Sequence, residues 1–189
     1  MMRIISGSFK GKKILEPKDK QTRPLKDLTK ESIFNVITHS NKFKIDFNNS
    51  TILDLFSGVG SFGLECLSRG VKEVIFVENY NLVLPILEKN LSNLTKINNY
   101  KVIKKDIYNK EVFKNLDKKF DIIFLDPPYK DKNINLIFKN IENSNILNKD
   151  AILIIHRHKN ELDNFPSNFK VIEEKKYGVS KIIFLFILN

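Results

Sequence analysis

The stretch of this chain best equipped for chemistry is "FDIIFLDPPYKD", residues 120–131: an apolar run, an acid, two prolines and an aromatic ring. Asp126 can accept a hydrogen bond from an amino group, and so can the carbonyl of Pro127. Pro127 and Pro128 restrict the local backbone, so that both acceptors stay aimed. Tyr129 offers a face on which a flat base can stack, a contact worth about 1–3 kcal/mol in single-strand recognition. Two acceptors and an aromatic face describe a clamp for an exocyclic amine on a base. Such an amine is a poor nucleophile because its lone pair is delocalised into the ring. Hydrogen bonds to its N–H groups favour pyramidalisation and aim the lone pair outward. Rate then comes from positioning and charge placement, with no covalent enzyme intermediate.

A second stretch, "LDLFSGVGSFG", places Gly58, Gly60 and Gly63 in the spacing G-x-G-x-x-G. It follows an apolar run and opens a helical one, and Glu78 ends the next apolar run twenty residues after Gly58. Glycines let the backbone turn tightly against a ligand, and an acid at the tip of the second strand can bind ribose hydroxyls. This geometry serves any adenosine cofactor, a nicotinamide dinucleotide as well as S-adenosylmethionine. Asp54 favours the latter, since a carboxylate four residues before Gly58 suits a cationic amino acid end and repels a pyrophosphate. Asp106 supplies another acid at the same sheet edge, where it could meet an adenine amino group or serve as a helix N-cap. With their neighbours Phe56 and Ile107, the expected cofactor residues are Asp54, Phe56, Gly58, Gly60, Glu78, Asp106 and Ile107.

These groups need a parallel sheet beneath them. A chain of 189 residues fits one domain with its own core. Strand and helix patterns alternate: "TILDLF", a helix through "FGLECLSRG", "EVIFVE", a helix from about Tyr80 to Lys96, "YKVIKKD", a short helix near residues 110–116, "FDIIFLD", a helix through "NINLIFKNIENS", and "AILIIH". The runs "FKVIEEKKYG" and "SKIIFLFILN" have no helix between them and predict an antiparallel pair closing the sheet. Ahead of this, "RIIS" and "KKIL" flank the turn-prone "GSFKG" and predict a β-hairpin. Leu28, Ile33, Phe34 and Ile37 then fall at helical spacing. Residues 1–40 are thus expected to be an extension carrying RNA contacts, and residues 41–189 the catalytic domain.

The formal net charge of +10 suggests a polyanionic partner, although 28 lysines against four arginines is also what an A/T-rich genome would produce. Distribution says more: residues 1–30 carry nine Lys or Arg against three Asp or Glu. Arg3, Lys10, Lys12, Lys13 and Arg23 are the expected phosphate contacts, the arginines because a planar fork grips phosphate bidentately. Cys66 is the single cysteine, so no internal disulfide can form, and no apolar run approaches the ~18 residues of a membrane span. A cytoplasmic setting without membrane contact is expected. His156 and His158 lack a third ligand, so no metal is expected, and both are taken as surface or RNA-facing residues.

Asp-Pro-Pro-Tyr is the motif of amino-group methyltransferases. From "MRIISGSFKGKKI" through "TRPLKDLTKESIFNVI", "LDLFSGVGSFGLECLSRG", Val77–Glu78 and "FDIIFLDPPY", the whole chain resembles the bacterial RsmD family. The resemblance implies a class I S-adenosylmethionine-dependent methyltransferase fold: α/β, a Rossmann-like seven-stranded sheet with the last strand antiparallel, and an N-terminal β-hairpin extension. It also implies methylation of a guanine N2 amine in 16S ribosomal RNA, possibly presented within a small-subunit assembly particle. The chain departs from the family at Leu25 and Lys26, where small polar residues are usual, and at His156, where an acid commonly follows the fifth strand of the main sheet. Three rivals are weaker. An adenine-N6 methyltransferase acting on DNA shares the motif but would need a target-recognition region for base flipping. An NAD-dependent oxidoreductase leaves Asp126–Tyr129 without a task, as does a non-catalytic RNA-binding module.

Overall fold

The computed structural model describes residues 2–17 and 25–188, so Arg23 and the rest of "QTRP" lie outside the described residues. Strands β1 (Met2–Arg3) and β2 (Lys13–Ile14) form the antiparallel hairpin, and helix α1 (Asp27–His39) follows. The alternation then runs β3 (Thr51–Leu55), α2 (Ser61–Ser68), β4 (Glu73–Val77), α3 (Leu84–Ser92), β5 (Tyr100–Ile103), α4 (Glu111–Lys114), β6 (Phe120–Leu125), α5 (Ile134–Ser144) and β7 (Leu147–His158). Strands β8 (Phe169–Tyr177) and β9 (Ser180–Ile187) end it.

The main sheet has the order β5-β4-β3-β6-β7-β9-β8, with β9 antiparallel to both neighbours. The final hairpin therefore does not simply extend the sheet: β9 inserts between β7 and β8. Its run Ile182–Leu185 is buried throughout and needs cover on both faces, whereas the charged Glu173–Lys176 stretch suits β8 to the exposed edge.

Side chains alternate between two cores, one per sheet face. On one face Ile52, Phe76 and Phe124 pack with α1, α2 and α3 through Ile33, Phe34, Phe62, Leu87 and Leu91. On the other, Leu53, Ile75 and Ile123 meet Val112 and Phe113 of α4 and Ile137, Phe138 and Ile141 of α5. The hairpin joins the first core through Met2, Ile4 and Ile14.

Two expectations need correction. Leu28 is 78% exposed, because the buried stripe of α1 runs through Lys30, Ile33, Phe34 and Ile37 and leaves Leu28 on the opposite side. Helix α3 is shorter than residues 80–96: Pro85 fits only its first turn and sets its start, and the helix ends at the Asn93 cap. Among the described residues, no helix is long and apolar enough to cross a membrane.

Candidate active site

Register decides which side chains meet. Leu55 pairs with Val77 and with Leu125, and Leu125 pairs with Ile155. The next residue of each strand therefore stands at the same level along the carboxyl edge: Phe56, Glu78, Asp126 and His156. In open parallel sheets this edge is where ligands bind. A cavity of about 700 Å³ opens there, lined by the loops after β3, β4, β5 and β6 and by His156.

The loop after β3 is built by left-handed backbone. Phe56 (φ 57°), Gly58 (φ 55°) and Gly60 (φ 86°) turn the chain within five residues, and Gly60 becomes the N-cap of α2. Gly63 serves packing: a Cβ there would lie 2.2 Å from the Phe76 ring. Ser57 staples the turn, its hydroxyl donating to the Asp54 carbonyl (2.6 Å) and accepting from the Val77 N–H (3.0 Å).

Four carboxylates line this cavity: Asp54 from β3, Glu78 and Asp106 from the loops after β4 and β5, and Asp126 from the loop after β6. Asp54 is 1% exposed, and one of its oxygens accepts the Gly63 N–H at 3.0 Å. Burial pushes its carboxyl well above the usual range; the Gly63 bond opposes this, while Asp126 and Glu78 add to it. Glu78 Oε2 accepts from Gly58 N–H (2.7 Å), and Oε1 from the N–H groups of Asn79 and Tyr80 (2.8 Å each). Asp106 accepts the Tyr108 N–H at 2.9 Å, so it ties its own turn as well as lining the cavity. Of the expected cofactor residues, Asp54, Phe56, Gly58, Glu78, Asp106 and Ile107 line the cavity; Gly60 does not and is instead the N-cap of α2.

The Asp126–Tyr129 turn forms the opposite wall. Asp126 Oδ1 lies 2.8 Å from His156 Nδ1, and the Tyr129 hydroxyl bonds the Ser180 hydroxyl at 2.9 Å. The Tyr108 hydroxyl donates to Asp131, joining the loops after β5 and β6. Burial, then the Asp131 carboxylate, push the Tyr108 phenol upward, which keeps it a donor. Arg157 fastens the loop from behind: its guanidinium reaches the carbonyls of Asp131 (3.1 Å) and Pro128 (3.5 Å) and bonds Asp163 Oδ1 (2.9 Å). Lys181 Nζ pairs with Asp163 Oδ2 at 2.7 Å, off the hydrogen-bonding angle.

His156 corrects an expectation. It is 6% exposed and part of the cavity wall, not a surface residue, because β7 continues through His158 and its register sets residue 156 beside Asp126. The signal available in the sequence was its place one residue past an apolar strand. Arg157 and Asp163 gave no such signal.

The hairpin candidates do not line the cavity. Arg3, Lys10 and Lys13 are exposed; the Lys12 ammonium donates to the Asn93 carbonyl, and Arg3 lies 3.5 Å from Asp27. The hairpin itself docks on α2: the N–H groups of Ile5 and Ser6 donate to Glu65 at 2.7 and 2.9 Å, and the Ser8 N–H donates to the Ser68 carbonyl at 2.8 Å.

A seven-stranded sheet with one inserted antiparallel strand and a glycine-loop cavity at its carboxyl edge is the class I methyltransferase fold. Residues 2–186 match the family described as "Conserved hypothetical protein 95", and the chain belongs to that family. Ribosomal RNA small subunit methyltransferase D of Haemophilus influenzae is 31% identical over 183 residues, covering 94% of this chain and 90% of that one. The solved structure of yhhF from Escherichia coli is 26% identical, covers 99% of this chain and 98% of its own, and has a TM-score of 0.81. The rRNA methyltransferase aviRa of Streptomyces viridochromogenes shares the fold at 12% identity, with 90% and 88% of the two chains covered and a TM-score of 0.68.

Proposed function

We propose that this protein transfers a methyl group from S-adenosylmethionine to the exocyclic N2 amine of a guanine in small-subunit ribosomal RNA. The observation that carries the reading is one cavity shared by the glycine loop with its carboxylates and by the Asp126–Tyr129 turn. The donor set fits the cofactor. Glu78 and Asp106 give that end of the cavity a negative field, which favours ammonium and sulfonium charges and disfavours a pyrophosphate, and the buried Asp54 adds a hydrogen-bonding carboxyl whose ionised form a cation beside it would favour. Glu78 stands at the tip of β4, where a carboxylate reaches ribose hydroxyls, and Phe56 and Ile107 supply apolar wall for the adenine. S-adenosylmethionine, when bound, supplies a methyl carbon that the amine nitrogen attacks while the electron pair of the breaking carbon–sulfur bond stays on sulfur.

The chain's own residues place the amine. Asp126 accepts one amine N–H and the Pro127 carbonyl the other, which turns the nitrogen lone pair toward the cofactor side of the cavity. Tyr129 stacks on the base, its ring held by the bond to Ser180. After transfer the nitrogen is acidic, and its proton leaves to Asp126 or to water. No nucleophile on the protein is needed, so electrostatics and orientation supply the rate.

Glu78→Ala is expected to weaken S-adenosylmethionine binding about 10- to 100-fold, the range for losing hydrogen bonds to a charged group. Calorimetry giving an unchanged affinity would remove Glu78 from the cofactor site.

Residues 1–40 act in this reading as the RNA-docking part, and the substrate is rRNA, free or within a small-subunit assembly particle. Arg3, Lys10 and Lys13 are the described cations exposed on the hairpin side, with Lys12 partly engaged on Asn93. Neutralising Lys10, Lys12 and Lys13 together should lower RNA affinity and flatten its log–log salt dependence by about two units, one each for the exposed Lys10 and Lys13. An unchanged slope would move the docking surface elsewhere, toward Lys130 and Lys132.

A further inference from the structure

We propose that His156 is a positioning residue for the amine clamp: its imidazole holds the Asp126 carboxylate in one orientation, so that the second carboxylate oxygen faces the base. This rests on the methyl-transfer reading above and adds a residue to it.

The placement is dictated by the fold. Strands β6 and β7 are parallel with Leu125 opposite Ile155, so whatever occupies position 156 is the lateral neighbour of Asp126. Here it is an imidazole whose Nδ1 lies 2.8 Å from Asp126 Oδ1. A carboxylate can only accept, so the proton of this bond sits on Nδ1. Among the described residues, the other ring nitrogen, Nε2, is buried without a hydrogen-bond partner. The tautomer protonated on Nδ1 leaves a bare lone pair there, whereas the opposite tautomer would bury an orphaned N–H and lose the bond to Asp126.

The consequence for Asp126 is torsional. The terminal rotation of an aspartate is broad and roughly two-fold, so a free carboxylate sweeps its acceptors through a wide arc. With Oδ1 tied to the imidazole, that rotation is fixed and Oδ2 is the acceptor left for the amine. The same ring meets Tyr129 edge-on, with centroids 5.8 Å apart and planes at 78°, so His156 is wedged between the polar and the stacking ends of the turn. His158 meets Tyr129 similarly at 5.3 Å, and Ser180, which bonds the Tyr129 hydroxyl, pairs with His158 across β7 and β9. Arg157, between the two histidines, holds the backbone carbonyls of the same loop. The tip of β7 thus fixes the loop's main chain with one residue and its functional side chains with the next. His156 keeps its Nδ1 proton throughout; the proton lost by the methylated nitrogen goes to Oδ2 or to water.

The test compares the parent with His156→Leu and His156→Asn in single-turnover methyl transfer to unmodified small-subunit rRNA, naked and in the particle. In Asn the side-chain N–H falls near the place of Nδ1. His156→Leu should lower the rate about 10²-fold, the scale of an ångström-sized misplacement, with cofactor affinity and RNA KM near the parent's. His156→Asn should recover most of that loss. Nitrogen-15 NMR of the parent should show the His156 proton on Nδ1 and its signal displaced in Asp126→Ala. A rate within about threefold of the parent's in folded His156→Leu would overturn the inference, as would a proton found on Nε2, which is readable even if the Leu variant does not fold. A parent inactive on both RNA forms, with the Nδ1 signal present, would instead remove the methyl-transfer reading and with it this role.

Discussion

Asp126→Ala is expected to lower single-turnover methyl transfer about 10³-fold, with S-adenosylmethionine affinity close to the parent's. Truncation removes the only side-chain acceptor of the proposed clamp. It also leaves the His156 N–H, which Asp126 satisfies at 2.8 Å, without its partner in a nearly closed wall. The interaction strengthens as the amine nitrogen gains positive charge, so kcat and kcat/KM should fall together, as they do when a contact belongs to the transition state. Glu78 and the glycine loop stand on β3 and β4 and do not depend on Asp126 for their bonds, which is why cofactor affinity should hold. Transfer within about tenfold of the parent's would mean that backbone carbonyls and stacking suffice.

The largest effect on stability is expected at Glu65→Ala. Glu65 is 0% exposed and accepts the Ile5 and Ser6 N–H groups and Arg69 Nε (3.0 Å), with the Lys30 ammonium at 3.9 Å. Lys30 is equally buried; it donates to the Arg3 carbonyl at 2.7 Å and reaches the Ser61 hydroxyl at 3.3 Å. Burial pushes the Lys30 ammonium down, and the Glu65 and Asp27 carboxylates hold it up. Removing Glu65 leaves the buried Lys30 ammonium with Asp27, at 3.8 Å, as its remaining carboxylate, and breaking such a buried pair costs about 3–5 kcal/mol. For a domain of this size that lowers Tm by on the order of 10 °C. The hairpin should loosen first, since two of its N–H groups end on Glu65, and with the hairpin as the proposed RNA-docking part, RNA affinity should fall more than cofactor affinity. A Tm within about 2 °C of the parent's in differential scanning calorimetry would show that the hub is dispensable.

The contrast between these two sites explains what could be read from the chain. Asp126 announced itself because an acid and two prolines interrupt an apolar strand, and a parallel sheet has its ligands at strand tips. The glycine loop was legible for a similar local reason: Gly58 and Gly60 sit at positive φ, and a side chain at Gly63 would collide with Phe76. Glu65 and Lys30 carried no such mark. A charged residue on a helix is usually solvated, and their burial follows from the hairpin folding back over α2, a contact some sixty residues distant in the chain. His156 was misread for the same physical reason: its neighbour is set by the register of β6 against β7, and one residue of slip would have turned it away from Asp126. Asp54 was legible as a cavity acid, but its bond to Gly63, which makes it a brace of the loop as well, was not.

The most direct measurement is transfer of tritium from methyl-labelled S-adenosylmethionine into separated small-subunit rRNA, large-subunit rRNA and DNA, followed by digestion to nucleosides. Label in N2-methylguanosine from small-subunit rRNA, lost with Asp126→Ala, is the predicted result. Label in N6-methyladenine of DNA, or in none of the three with both naked and particle-bound RNA offered, would contradict the proposed function.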